Sequence, residues 1–599
     1  MNSTPSAKRI PPATQTGVAM SGADIIVKSI CNEDIDVVFG YPGGAVLPVY
    51  DALFQQNHLR HILVRHEQAA THAAEGFARS TGKVGVVLVT SGPGATNAVT
   101  GLTDAMLDSI PMVCITGQVP THLIGSDAFQ EADTTGITRS CTKYNYLVQS
   151  IEELPRIMHE AFHIARTGRP GPVVVDIPKN IMNQMGVYAG KPEIIRPSYK
   201  PQTQGDAAQV EKAIALMASA KRPIFYVGGG VINAGEQACK DLAELIHLTG
   251  YPCTNTLMGL GAFPGYDPQF VGMLGMHGSL EANMCMAECD VMINIGARFD
   301  DRVTGKLDRF SVDSLKIHVD IDPSSINKNV HAHVPIVGDA GVVIKQMLAL
   351  WKQKKIQPDK ASLSDWWKKI EGWRAKKSFS YQQGKDIIKP QYALDRLNEL
   401  SKKLEPYVTT DVGQHQMWAA QFLKYEKPYH WMTSGGLGTM GYGVPSAMGV
   451  QIAHPDALVM CVTGEASFMM NIQELSTIAQ YRLPVKILIL NNHCMGMVRQ
   501  WQQMFHGCRY SESYMDSLPD FVKLAEAYGI TGLQCSKVDE VDSYIQKMID
   551  TPGPVLLDMI VDPEENVYPM IPAGAAHYEL VLGPTDGDGK GEIKSKDLL

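Results

Sequence analysis

Three short stretches carry residue types that chemistry needs. In Arg65-His66-Glu67-Gln68-Ala69-Ala70 an apolar run, His61–Val64, gives way to Ala-rich sequence, so Glu67 falls in the first turn of a helix. The helix N-terminus favours a carboxylate there; taken alone, a helix cap is the simpler reading. Ser91-Gly92-Pro93-Gly94-Ala95-Thr96-Asn97 follows the run VGVVLVT and opens another helix, and its glycines let backbone N–H groups approach a ligand. Asn97 stands where a dinucleotide fingerprint has its last glycine, so a tight turn is an equal alternative. The third stretch, Ala457–Met497, reads strand, helix, strand, with Gly464-Glu465-Ala466-Ser467 after the first strand and Asn491-Asn492 after the second. Ligands bind beyond the carboxyl ends of such strands. An acid and an amide oxygen from neighbouring strand ends, together with a diphosphate, can complete the oxygen octahedron that Mg²⁺ demands.

The elements that must position these residues repeat one grammar of strand, glycine turn and helix, as at Asp36–Gly40, Val84–Thr90, Met112–Thr116 and Pro172–Pro178, and that alternation predicts parallel α/β structure. A chain of 599 residues suggests about three domains. Pro-rich sequence near 186–207 and a Trp- and Lys-rich helical stretch near 354–388 cut it into blocks at 20–187, 205–352 and 385–565. Each is expected to be a doubly wound parallel sheet. Residues 1–19, polar and rich in Pro, Thr and Ser, are expected to form a disordered leader, and 582–599 a mobile tail.

Bulk properties narrow the partners. A formal charge of −9 without long basic runs argues against nucleic acid, and the longest apolar runs, Val84–Val89 and Val485–Leu490, are far too short to span a bilayer. A cytoplasmic protein acting on small molecules is expected. Eleven scattered cysteines fit reduced core thiols; Cys285 and Cys289 have helical spacing but no second ligand pair, which favours packing over a metal.

The turn at Gly464–Ser467, with Asn492 following Glu465 by 27 positions (492 − 465), resembles the diphosphate–metal motif of thiamine-diphosphate enzymes. The resemblance covers residues 20–575 and is closest to the acetolactate synthase (acetohydroxyacid synthase) large subunits. It rests jointly on GYPGGAVLPVYDAL (Gly40–Leu53), GQVPTHLIGSDAFQE (Gly117–Glu131), LGMHG (Leu274–Gly278), IGARFDDRVTG (Ile295–Gly305), GGLGTMGYGVPSA (Gly435–Ala447) and GMVRQWQ (Gly496–Gln502). Where that family has an aspartate in the metal turn, this chain has Glu465, one methylene longer.

The resemblance implies two thiamine-diphosphate-binding folds, pyrimidine-binding and diphosphate-binding, flanking a central FAD domain. It implies that Glu67 hydrogen-bonds the aminopyrimidine and promotes loss of the C2 proton, that Gly44, Gln130 and Lys179 are catalytic with it, and that Gln130, Lys179 and Pro120 lie near the substrate pocket. Gly413, Gln414, His415, Ala466 and Ser467 would hold the diphosphate, and the Gly438 and Met440 carbonyls the 4′-amino group. Glu465, Asn492 and the Cys494 carbonyl would ligate Mg²⁺. FAD, with a structural role, would contact Arg169, Gly228, Gly229, Gly230, Thr256, Leu257, Gly275, Met276, His277, Gly296, Arg298, Asp320 and Asp339. Phe129, Arg302, Met497, Val498 and Trp501 would form the substrate pocket, Arg302 pairing with a carboxylate.

The implied reaction decarboxylates pyruvate and joins the two-carbon unit to a second pyruvate or to 2-ketobutyrate, at the start of valine, leucine and isoleucine synthesis. A homodimer or homotetramer with sites between chains, and a separate small regulatory subunit, are implied as well. Another thiamine-diphosphate pyruvate enzyme, or a weakly active assembly paralogue marked by Glu465, are the alternatives.

Overall fold

The computed structural model describes residues 17–584 and 592–594. Three parallel six-stranded sheets follow one another along the chain, with helices on both faces. Numbering strands within each domain, the first sheet (Val37–Gly40, Arg60–Leu63, Gly85–Val89, Met112–Gln118, Tyr144–Leu147, Pro172–Pro178) has the order 2-1-3-4-6-5. The third (Tyr407–Thr410, Trp431–Met432, Val459–Thr463, Lys486–Asn491, Thr531–Cys535, Val555–Ile560) repeats that order. The middle sheet (Pro223–Val227, Cys253–Asn255, Phe270–Met273, Val291–Ile295, Leu315–Asp320, Val334–Val337) runs 3-2-1-4-5-6, the order of dinucleotide-binding folds.

The unbroken apolar runs arise because both sheet faces are covered, so successive side chains enter different cores. Val87 and Val89 point into a core shared with the third domain, whereas Val86 and Leu88 point into one belonging to the first domain alone. The shared core explains the Ala-rich composition of helix Glu67–Thr81, which packs against helix Gly443–Ala453. A Cβ at Gly449 would lie 1.8 Å from the Ala73 carbonyl oxygen, and one at Gly76 would lie 2.1 Å from that of Ser446. The two helices therefore meet backbone to backbone, and the first and third domains of one chain form a single unit.

Helix Lys360–Arg374 belongs to the middle domain's packing: Trp366 and Trp373 are buried, and Trp366 Nε1 donates to the Pro223 carbonyl at 3.0 Å. Cys285 and Cys289 lie buried in the same cluster.

Two terminal expectations need correction. Val18–Ser21 pairs antiparallel with Met185–Tyr188, so the leader's last residues belong to a strand; positions 1–16 lie outside the described residues. Val581–Pro584 pairs antiparallel with Glu592–Lys594, so these parts of the predicted tail are ordered, and the rest of 582–599 lies outside the described residues. Backbone pairing, which needs no apolar periodicity, holds both segments. Among the described residues no helix is long and apolar enough to cross a membrane.

Candidate active site

In a doubly wound sheet the ligand crevice lies where the strand order reverses, outside the carboxyl ends. In the third domain this point falls between Tyr407–Thr410 and Val459–Thr463. There Gly413, Gln414, His415, Met440, Ala466, Ser467, Asn492, Cys494, Met497 and Val498, all singled out in the sequence, line one cleft.

Its floor is fixed by contacts that only glycine allows. The His415 ring lies between Gly413 and Gly464, where an added Cβ would stand 2.9 Å from ring atoms in each case. Burial pushes this imidazole down to about 3, so it is neutral, and its Nε2 is buried without a partner. Gln414 is held by Gln500 Oε1 at 2.9 Å and the Glu565 carbonyl at 3.0 Å, and its own Oε1 accepts from Asn492 Nδ2 at 3.2 Å. Glu465 opens the short helix Glu465–Met469, is 1 % exposed, and has Oε1 buried without a partner. Burial raises its carboxyl to about 7, against the lowering effect of backbone N–H groups at 465, 494 and 492. A buried acid with one unpartnered oxygen, near Asn492 and the peptide at Cys494, is a donor set that fits a hard cation beside a diphosphate.

Above the cleft, the turn carrying Gly438 and Met440 is tied down by Asp411, a residue whose role the sequence alone did not disclose. Its Oδ1 accepts from Gly441 N at 2.7 Å and Gly443 N at 3.1 Å, and its Oδ2 accepts from Thr463 Oγ1 at 2.8 Å. Gly438 has φ +79°, the left-handed region.

The first domain gathers its candidates at the carboxyl edge of its own sheet. Gly44 follows Val37–Gly40, Glu67 follows Arg60–Leu63, and Lys179 follows Pro172–Pro178. Gln130, with φ +59°, closes on the glycine turn: a Cβ at Gly92 would stand 2.8 Å from its carbonyl oxygen. Glu67 is 9 % exposed and accepts a hydrogen bond from Asn97, so the first two sequence motifs meet. None of these residues lines the cleft of its own chain, and neither do Phe129, 88 % exposed, or Arg302, exposed and loosely paired with Asp301 at 3.8 Å. Trp501 sits one turn beyond Met497 and Val498 on helix Gly496–Phe505, its ring edge-on to Phe505 at 5.3 Å.

The middle-domain candidates also share one edge. Gly228–Gly230, Thr256 and Leu257, Gly275–His277, Gly296 and Arg298, Asp320 and Asp339 follow or end its six strands at their carboxyl ends. Strand order reverses between Pro223–Val227 and Val291–Ile295, where Gly230 N donates to the Gly296 carbonyl at 3.1 Å and a Cβ at Gly228 would stand 2.2 Å from the same oxygen. Such a cradle fits a dinucleotide. Arg169 reaches in from the first domain to Asp322 at 3.4 Å, while the Asp339 carboxylate caps helix Ala340–Gln353 through Val342 N.

Known proteins resemble the chain in the same three parts. Residues 20–137 match the N-terminal TPP-binding domain of thiamine pyrophosphate enzymes, 210–347 their central domain and 411–559 their C-terminal TPP-binding domain. With the paired sheets and the cleft at the reversal point of the third, these matches define a thiamine pyrophosphate enzyme. The acetolactate synthase large subunit of Haemophilus influenzae is 49% identical over 566 residues, 94% of this chain and 98% of that protein. The isozyme 3 large subunit of Escherichia coli is 49% identical over 573 residues, covering 95% and 99%, and the large subunit of Pyropia yezoensis is 47% identical over 570 residues, covering 94% and 95%. The chain belongs to the acetolactate synthase large-subunit family, transferases that form a carbon–carbon bond in branched-chain amino-acid synthesis.

Proposed function

We propose that the chain condenses two 2-keto acids, pyruvate as donor with pyruvate or 2-ketobutyrate as acceptor, releasing CO₂ and giving 2-acetolactate or 2-aceto-2-hydroxybutyrate. In this reading 20–187 is the pyrimidine-binding domain, 205–352 the FAD domain and 385–565 the diphosphate-binding domain. The observation that carries it is the cleft at the reversal point of the third domain, with two unpartnered buried groups, His415 Nε2 and Glu465 Oε1, beside it.

Thiamine diphosphate, when bound, would supply a carbon nucleophile and a sink for the electron pair left when CO₂ departs. The chain's own residues do the rest. His415 would face a diphosphate through its unpartnered Nε2, and Gly413, Gln414, Ala466 and Ser467 would offer donors around it. Glu465, Asn492 and the Cys494 carbonyl would hold Mg²⁺, which would neutralise diphosphate charge. The carbonyls of Gly438 and Met440 would orient the 4′-amino group, and Glu67 would hold a proton at the aminopyrimidine. Gly44, Gln130 and Lys179 flank that end. Arg302 pairs with the acceptor carboxylate, while Phe129, Met497, Val498 and Trp501 exclude water and size the acceptor side chain. The reversal-point cradle of the middle sheet takes FAD as a structural group.

Because Glu67 does not line its own chain's cleft, the working unit is a homodimer or homotetramer in which Glu67 of one protomer meets the cleft of its partner. A separate small regulatory subunit and a cytoplasmic location complete the reading.

The experiment is acetolactate formation from pyruvate by the purified chain, with Mg²⁺, thiamine diphosphate and FAD titrated separately. Activity requiring all three supports the assignment. Acetate or acetyl phosphate without acetolactate would replace it with a pyruvate oxidase reading.

A further inference from the structure

The loop Ser434-Gly435-Gly436-Leu437-Gly438-Thr439 presents a problem. Its three glycines leave the backbone great conformational freedom, and 435–438 are exposed, yet its last turn must orient a cofactor ring. Nothing in its own side chains anchors it except Ser434. That hydroxyl accepts from Gly438 N at 3.0 Å and Thr439 N at 2.8 Å, closing the loop on itself.

The anchors come from the other end of the chain. Helix Val99–Asp108 of the first domain presents two carboxylates one turn apart. Asp104 Oδ1 accepts from Ser434 Oγ at 2.8 Å; Asp108 accepts from Gly435 N through one oxygen at 2.9 Å and from Gly436 N through the other at 2.7 Å. From helix Glu67–Thr81, Arg79 donates to the carbonyls of Trp431 and Thr433, which lead into the loop. The approach is close enough to dictate sequence: a Cβ at Gly436 would lie 2.8 Å from Asp108 Oδ1 and 2.9 Å from Leu107 Cβ. On the loop's other side, a Cβ at Gly435 would lie 2.2 Å from the Met258 sulfur of the middle domain.

We propose that Asp104 and Asp108 are positioning residues for the carboligation, fixing from the first domain the loop whose Gly438 and Met440 carbonyls orient the aminopyrimidine. The inference rests on the cofactor placement given above. A carboxylate suits the task because it accepts only and has two oxygens, so it can take the N–H groups of consecutive residues at once; an amide in its place would set an N–H against one of them. The diphosphate anchors at 413–415 and 466–467 lie on separate strand ends, so the clamp governs the angle of the ring and not the grip on the cofactor. Asp104 Oδ2 instead faces His72 at 3.9 Å and has no hydrogen-bond partner, so this carboxylate serves the loop with one oxygen only. Asp108 therefore carries the larger share.

The test uses the FAD-loaded protein with Mg²⁺ and thiamine diphosphate, comparing wild type with Asp108→Asn and Ser434→Ala. Three quantities are read: hydrogen–deuterium exchange at C2 of the bound cofactor, the cofactor concentration for half-activation, and kcat and KM for pyruvate. Loss of orientation without loss of grip should lower C2 exchange and kcat together about 10- to 100-fold, with half-activation and KM changed less than about threefold. Should Asp108→Asn fail to fold, Ser434→Ala breaks the companion link, to Asp104, from inside the loop. Exchange at the wild-type rate in the folded variants would overturn the proposal. So would a parallel decline of exchange, cofactor affinity and thermal stability, which marks a merely structural contact. If wild type itself fails to accelerate C2 exchange, it is the cofactor placement that falls.

Discussion

Asn97 Nδ2 donates to Glu67 Oε2 at 2.9 Å, joining the glycine turn after one strand to the acid that follows another. The amide fixes the carboxylate's rotamer while leaving Oε1 free to meet a cofactor. Glu67→Gln is expected to lower kcat by about 10²- to 10⁴-fold, the usual worth of a positioned acid or base. Asn97→Ala, which frees the carboxylate without removing it, should cost about tenfold, judged by the range for misorientation. Steady-state rates with FAD content checked in parallel decide both; equal rates for Glu67→Gln and wild type would remove Glu67 from the mechanism.

Glu465 tests how much the longer acid matters. Glu465→Gln keeps an oxygen donor but loses its charge, and should raise the Mg²⁺ concentration for half-activation at least about tenfold. Glu465→Asp should leave the rate within about threefold, because the carboxyl is already held by the backbone N–H groups at 492 and 494 and the shorter acid keeps its charge and both oxygens. A rise of a hundredfold in the aspartate variant would instead mark the natural chain as a poorly loaded assembly paralogue.

Trp501 lies half-buried on the same helix as Met497 and Val498, one turn farther from the cofactor cleft. Trp501→Leu removes the surface against which an ethyl group would pack, and should shift the product ratio from 2-aceto-2-hydroxybutyrate towards acetolactate about tenfold. Competition between equimolar pyruvate and 2-ketobutyrate measures it; an unchanged ratio would take Trp501 out of acceptor selection.

Much of this arrangement is legible in the sequence, for a physical reason. Strands Gly85–Val89 and Lys486–Asn491 fall on the apolar runs Val84–Val89 and Val485–Leu490, since a strand covered on both faces can hold little else. Glycine turns and acids mark the strand ends, so candidates at Glu67, Gly228–Gly230, Gly413 and Glu465 could be found there. Strand order could not, because it depends on which crossovers stack in space. Asp104 and Asp108 read as the polar face of an ordinary helix; Asp104 meets its partner Ser434 across 330 positions. Strand Val581–Pro584, containing Gly583 and Pro584, has no periodicity to announce it.

Asp176 supplies a prediction about pH. It is 1 % exposed, accepts from Thr116 Oγ1 at 2.6 Å and Gln118 Nε2 at 2.9 Å, and burial raises its carboxyl from 3.8 to about 7. Between those values the folded state holds a proton that the unfolded state has released, so stability falls as pH rises, by about 4 kcal/mol at most across the window. Asp176→Asn removes the titration. Its thermal midpoint should gain on wild type between pH 5 and pH 8, and a constant difference would show that the group does not titrate there.

The cleft lined only by residues 412–498 has a consequence for mixtures of chains. A Glu67→Gln protomer keeps a sound cleft, and an Asn492→Ala protomer keeps a sound acid. Paired, the two concentrate both lesions in one site and leave the other whole. Two inactive parents co-expressed in equal amounts should therefore regain about a quarter of the wild-type activity, since half the random dimers are mixed and each has one intact site of two. Defects in this protein would then complement or not according to which domain they strike, and no recovery at all would mean that each chain completes its own site.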